Sequence, residues 1–266
     1  MKKFLHISLM TILVAGTIIL LAFTDLGYQQ KICKSFRVDV LNPSEQSMIT
    51  SEEITSLIID RFGEIEGSLI ARIDLYQLEN MVQGNPYVSS CEVFQTIGGN
   101  LMLKARVREP LVRVVNLEDN QFYLDFTGCV MPVNPEHPSH VLIANGFIAD
   151  QFVSLDKSER SLNTFPDSSV LHQVFPVAYY ISKDDFLKSF IDQIYITEKK
   201  EIELVPKIGS QAIIFGSAVD AREKLENLKT FYQKVMSNMD WNTYKSINLK
   251  YKNQVVCLKY IEYEQD

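Results

Sequence analysis

The chain has 266 residues, 46% of them hydrophobic, and a formal net charge of -7 at pH 7. That length accommodates one or two domains at about 100–200 residues each, and the acidic balance excludes a basic nucleic-acid footprint or a polybasic lipid-binding patch. Its 4 cysteines (Cys33, Cys91, Cys129, Cys257) are too few and too dispersed for a disulfide framework, although two could pair in an exported chain, and no CxxC or CxxH spacing offers a metal site.

Phe4–Phe23 is an uncharged run of 20 residues, about the ~20 needed to cross a ~30 Å hydrocarbon core. Lys2 and Lys3 precede it and favour a cytoplasmic N-terminus; Lys31, Lys34 and Arg37 follow it, but long domains translocate largely regardless of charge. The competing reading is a cleaved signal peptide. Against it, the run exceeds the ~7–15 residues of a signal core, and no small-x-small site follows Ala22. The expected order is a cytoplasmic tail over residues 1–3, a transmembrane helix over 4–23 and a polar connector over 24–36. The two N-terminal lysines carry +2, so the exported remainder carries -9.

Arg37–Leu41 alternates as a strand with one buried face, and Asn42–Pro43–Ser44 breaks it. Thr50 with Glu53 predicts a capping box, and Ile54, Leu57 and Ile58 predict the apolar face of the helix that follows, with Gly63 as its stop. A second helix opens at Asp74 with Gln77 in the reciprocal position; Leu75, Leu78 and Val82 form its apolar side, and Gly84–Asn85–Pro86 ends it. Tyr87–Gln95 reads as a strand and Gly98–Gly99–Asn100 as a hairpin turn. Leu101–Arg108 alternates, with Leu101, Leu103, Ala105 and Val107 on its core face. Residues 37–110 are therefore expected as a β-α-α-β-β domain with two helices on one face of a three-stranded sheet.

Residues 111–266 are expected as a mixed β domain with two packed helices. Extended pieces are expected at Val112–Asn116, Phe122–Asp125, Cys129–Pro135 and Val141–Asn145, then a surface loop over Asp150–Phe165. Asp167 is the expected cap of a helix running toward Ser182, with Val170, Leu171, Val174 and Val177 inward and a kink or early end at Pro176. Strands follow at Ile191–Thr197, Glu201–Val205 and Gln211–Phe215, the first two antiparallel across a short turn. Ser217–Met236 is expected as a helix whose core positions are Val219, Leu225, Leu228, Phe231, Tyr232 and Val235. The last two strands are Tyr244–Tyr251 and Gln254–Tyr263.

The order resembles a POTRA domain, and its details resemble the FtsQ/DivIB family of bacterial cell-division proteins. The residues that carry this are Thr50–Ile54 at a helix start, Ile73–Asp74 at the next, Asn85–Val88, and Arg108–Glu109–Pro110 as a short form of Glu-Arg-x-Pro. Further on they are Phe122–Asp125 with Gly128, Gly216 before a helix carrying Lys224–Leu225, and Ser246–Tyr251. In that last stretch Asn248 and Lys250 replace the Asp and Arg of an Asp-Leu-Arg-Tyr signature, so a family salt bridge is expected to be missing. The resemblance implies a bitopic, non-enzymatic scaffold without cofactors. It implies a place at the cell inner membrane and division septum, with the bulk of the chain periplasmic and FtsB-like and FtsL-like division proteins as partners. It also implies a docking site on the C-terminal strand and its neighbours: Tyr244, Ser246, Tyr251, Val255, Val256, Cys257, Leu258, Lys259 and Tyr260. Independently of the family, Val255–Leu258 is a bare apolar run, and a terminal strand with an open edge can accept a partner strand.

Two other functions fit less well. An outer-membrane assembly factor would need ~10-residue amphipathic barrel strands, and an exported enzyme or ligand-binding domain would need converging polar groups. His137 and His140 have metal-pair spacing but sit in a Pro-rich stretch without a supporting cluster beyond Glu136. His172 reads as a surface or partly buried helix residue, and Asp184–Asp185 as a solvated face. Gly98–Gly99 lacks the helix a phosphate loop requires, and no Ser or Cys occupies a nucleophile elbow.

Overall fold

A computed structural model describes residues 10–18, 31–41, 47–96, 98–152, 160–236 and 243–260. Of the expected span Phe4–Phe23, residues 10–18 are described and are helical; the rest of the span lies outside the described residues. Among the described residues no helix is long and apolar enough to cross a membrane. The chain divides into two compact units, Met1–Ser44 with Ile49–Val107, and Glu45–Met48 with Arg108–Asp266.

The first unit runs β1 (Phe36–Leu41), α1 (Ser51–Phe62), a 3-10 turn (Ile70–Arg72), α2 (Leu75–Gly84), β2 (Val88–Gln95) and β3 (Leu101–Val107). The capping box forms as expected: the Glu53 N–H donates to Thr50 Oγ1 at 3.2 Å, and the Thr50 N–H donates to the Glu53 carboxylate at 2.6 Å. Gly63 stops α1 at φ 75, a left-handed value that glycine adopts without steric cost. Ile54 and Ile58 are buried, but Leu57 is 43% exposed. Residues four apart stack on one face, and Leu57 lies about 100° round the helix from Ile58, so it falls on the flank of the apolar stripe. Asp74 caps α2 by accepting the Gln77 N–H at 3.0 Å, and Leu78 and Val82 face the core.

Strand order is β1-β3-β2, with β1 parallel and β2 antiparallel to the central β3. Leu101, Leu103, Ala105 and Val107 are all buried, as their alternation requires. Gly99 turns the β2–β3 hairpin at φ 82. Residues 31–35, read as connector, are fastened into this unit. The Cys33 N–H donates to Ser68 O at 2.8 Å, the Ile70 N–H to Lys31 O at 2.9 Å, and Cys33 is buried.

The second unit contains β4 (Pro110–Val115), β5 (Gln121–Asp125), β6 (Val130–Pro132), β7 (Leu142–Gly146), a 3-10 turn (Leu162–Thr164), α3 (Leu171–Ser182) and α4 (Asp185–Phe190). It continues with β8 (Ile191–Ile196), β9 (Ile202–Pro206), β10 (Ala212–Gly216), α5 (Ala221–Lys234), β11 (Tyr244–Asn248) and β12 (Val256–Lys259). The strands form one sheet in the order β12-β11-β10-β9-β8-β7-β4-β5-β6. The pairs β4/β7, β7/β8 and β10/β11 are parallel and the others antiparallel. Val112, Phe122, Ile194, Leu204, Ile213 and Ile247 share a core with Leu171, Val174 and Val177 of α3 and with Leu225 and Leu228 of α5.

Three expectations change here. Asp167 does not cap α3; the Ser169 hydroxyl takes the Leu171 N–H at 3.1 Å. The helix also runs through Pro176 to Ser182, so the early end does not occur; Val177, Ala178 and Ile181, beyond the proline, are buried, and packing of that face offsets the lost backbone donor. α5 begins at Ala221, after Asp220 at φ 55. Val219 therefore lies in the turn before the helix and is 67% exposed, not core.

Candidate partner-docking edge

A strand at the edge of a sheet presents unpaired N–H and C=O groups, which folded proteins usually blunt. On three of the edges described here an outward amide is taken up by a group from outside the sheet. On β1 the Phe36 N–H donates to the Glu66 carboxylate at 2.8 Å. On β2 the Val93 N–H donates to Glu79 at 2.6 Å. On β6 the Val130 N–H donates to Arg160 O at 3.1 Å, a bridge joins Cys129 to Ser161, and Pro132 ends the strand without a donor. Asp125 seats β6. One of its oxygens accepts from the Thr127 N–H, the Thr127 hydroxyl and the Cys129 N–H; the other accepts from Arg108 Nη1 at 2.8 Å.

The fourth edge is β12. Among the described residues, no side chain or loop is hydrogen-bonded to the backbone of 255–260. Its inner neighbour is β11, in the register Ser246↔Leu258, Ile247↔Cys257 and Asn248↔Val256. Val255 and Cys257 pack on the core. Val256 (44%), Leu258 (57%) and Tyr260 (46%) are exposed, giving an apolar row along an open edge. Lys259 extends its ammonium over the Tyr244 ring at 5.9 Å, and Tyr244 itself is buried against Phe231. Tyr251 is exposed in the turn between β11 and β12. Burial pushes the Cys257 thiol above its ordinary pKa, so it stays protonated at neutral pH and is a packing residue, not a nucleophile. Of the nine expected docking residues, the structure brings Val256, Leu258, Lys259 and Tyr260 to the surface of one strand, leaves Ser246 half-buried on β11, and buries Tyr244. The expected strand end at 261–263 lies outside the described residues.

In the stretch where a family salt bridge was expected to be missing, Lys250 makes an ion pair. Lys250 Nζ meets the Glu201 carboxylate at 2.6 Å, and Asn248 Oδ1 accepts the Lys250 N–H at 2.9 Å. Beneath them Gly216, at φ +79, leaves room that a Cβ would fill 2.7 Å from Lys250 Cγ. Asp184 is not a merely solvated carboxylate: it caps α4 through the Leu187 N–H and pairs with Lys229 of α5 at 2.5 Å. His137 and His140 lie on the loop after β6, half-buried and exposed respectively. Glu66 and Glu79 escaped sequence reasoning because their bonds join elements separate in the chain, and Asp125, singled out as a strand end before Gly128, was not read as the partner of Arg108.

The family described as FtsQ/DivIB, C-terminal related, matches residues 109–258, and the POTRA-like domain matches residues 31–106. The chain is also similar to the cell division protein FtsQ of Geotalea daltonii (strain DSM 22248 / JCM 15807 / FRC-32), with 24% identity over 227 residues, which is 84% of this chain and 76% of that protein. The first match begins beside the Arg108–Asp125 pair and reaches into β12, spanning the large sheet from one edge to the other, and the second covers the three-stranded sheet up to Arg106. With a POTRA-like unit followed by this sheet, the chain belongs to the FtsQ/DivIB family.

Proposed function

We propose that this chain is a cell-division protein that acts as a non-enzymatic, membrane-tethered scaffold, holding FtsB-like and FtsL-like partners by strand addition at β12. The observation that carries the reading is the contrast among the sheet edges: β1, β2 and β6 each have an outward amide held by a group from outside the sheet, whereas among the described residues β12 has none, and it presents Val256, Leu258 and Tyr260 beside it. An added strand would gain main-chain hydrogen bonds from the edge and selectivity from these alternate side chains. Phe4–Phe23 supplies the tether, placing the N-terminus in the cytoplasm and both units in the periplasm at the septum. The name of the Geotalea daltonii relative supports the division role. No chemistry is asked of the exposed His137–His140 loop.

The test is a fluorescent fusion of the full chain in dividing cells, combined with capture of FtsB-like and FtsL-like proteins from membranes. Septal bands and co-capture are expected. A uniform membrane signal with no captured division protein would overturn the reading. The His137→Ala/His140→Ala double variant should complement division at wild-type protein levels; a defect there would reopen a metal role.

A further inference from the structure

The two edges of the three-stranded sheet each have one outward amide held by a glutamate, from different elements. Glu66, in the turn between α1 and the 3-10 segment, accepts the Phe36 N–H of β1. Glu79, on α2, accepts the Val93 N–H of β2. Val93 pairs with Leu103 on β3, so an amide that bonds to a helix side chain points away from that ladder. By the two-residue repeat, Cys91 and Gln95 share the outward edge. Without Glu79 this edge would be a hazard. β2 (VSSCEVFQ) has eight residues, one charge and no proline, the composition of a strand that pairs with its own copy. A single edge is self-complementary across a two-fold axis, so a second copy of this chain is the occupant that fits it without further specification.

We infer that Glu79 is an edge latch: its carboxylate occupies the outward Val93 amide and thereby keeps β2 from pairing antiparallel with β2 of a second copy, with Glu66 serving β1 in the same way. The latch confines strand addition in this protein to β12. It acts through the acceptor oxygen, so a neutral amide at position 79 should still close the edge, whereas a side chain without an acceptor should open it.

The experiment compares full-length wild type, Glu79→Gln, Glu79→Ala and Glu79→Met in detergent micelles. It reads molar mass by light scattering against protein concentration, and amide exchange across β2. Glu79→Met keeps helix-forming character and apolar length, so it carries the test if the Ala variant fails to fold. Glu79→Ala or Glu79→Met should associate about tenfold more tightly than wild type, matching one hydrogen bond traded for intermolecular ones, and Val93 should exchange faster when dilute. Glu79→Gln should behave as wild type. Adding Gln95→Pro to an associating variant, which removes an outward donor at the strand end, should reverse the association. The inference is overturned if a folded acceptor-free variant keeps the wild-type mass and exchange. It is also overturned if Glu79→Gln associates as strongly as Glu79→Ala, or if the association survives Gln95→Pro.

Discussion

In the small sheet both outer strands meet a glutamate; in the large sheet one outer strand meets the backbone around Arg160, and the other, β12, meets no partner among the described residues. The two sheets share alternation, apolar cores and helices on a face, so the difference lies only at their margins. A closed margin costs a dedicated side chain or loop and returns solubility. An open one is retained where pairing serves a purpose. If β12 is the docking edge proposed above, residues at the sheet margins divide a self-contained domain from a docking one.

The largest expected effect is at the closed end of the large sheet. Asp125→Ala strands the Arg108 guanidinium and removes three acceptor bonds that seat β6; the paired side chains are 14% and 4% exposed. Breaking such a pair should cost about 3–5 kcal/mol, read as a lower thermal midpoint and faster amide exchange over 121–132. Exchange of α1 and β2–β3 should stay unchanged. If the variant melts like wild type, the Asp125 turn is not what closes that edge.

Next is the open end. Val256→Pro and Cys257→Pro sample the two amide directions of β12. The one whose N–H points away from β11 should stay folded and lose about 1–3 kcal/mol of partner affinity, seen in pull-down beside thermal melting. The other should lose stability first. A folded, outward variant with full partner binding would place docking elsewhere. Smaller still, Thr50→Ala removes the α1 cap for about 1 kcal/mol; it should loosen exchange within α1 and leave capture at β12 intact.

The smallest effect concerns the α4–α5 tie. Burial works to raise the Asp184 pKa, but bonds from Lys229 and the Leu187 N–H outweigh it and hold the carboxyl below its ordinary value. A depressed carboxylate adds stability above its unfolded pKa, about 3.9, and loses it as pH falls through the lower folded value. Asp184→Asn should therefore melt earlier than wild type near neutral pH and match it once the pH falls below the folded value. A constant gap at all pH values would mean the ion pair is not the cause.

Much of this architecture could be read from local pattern. The Leu101–Val107 alternation, the Thr50–Glu53 box and the Leu171–Val177 stripe all depend on neighbours within a turn or two. Leu57 and Val219 were misplaced because periodicity gives a face but not its width or the residue where a helix starts. Position along the chain pointed to Val255–Tyr260 as an edge, yet the parallel pairings and the glutamates that close β1 and β2 have no local signal. They are decided by where separate elements come to rest.

The route by which β11 reaches the sheet has a consequence in time. β11 lies parallel to β10, and α5 is the crossover between them. The β2–β3 hairpin closes across a short turn, an event of about 1–10 μs in isolation. The β11–β12 pair can close locally too, but its pairing with β10 must wait for a crossover whose closure entropy is met before that pairing rewards it. β12 is therefore expected among the last pieces to settle. If partners dock there as proposed, one that arrives early finds nothing to extend, and competence to recruit becomes a report that the second unit has finished folding.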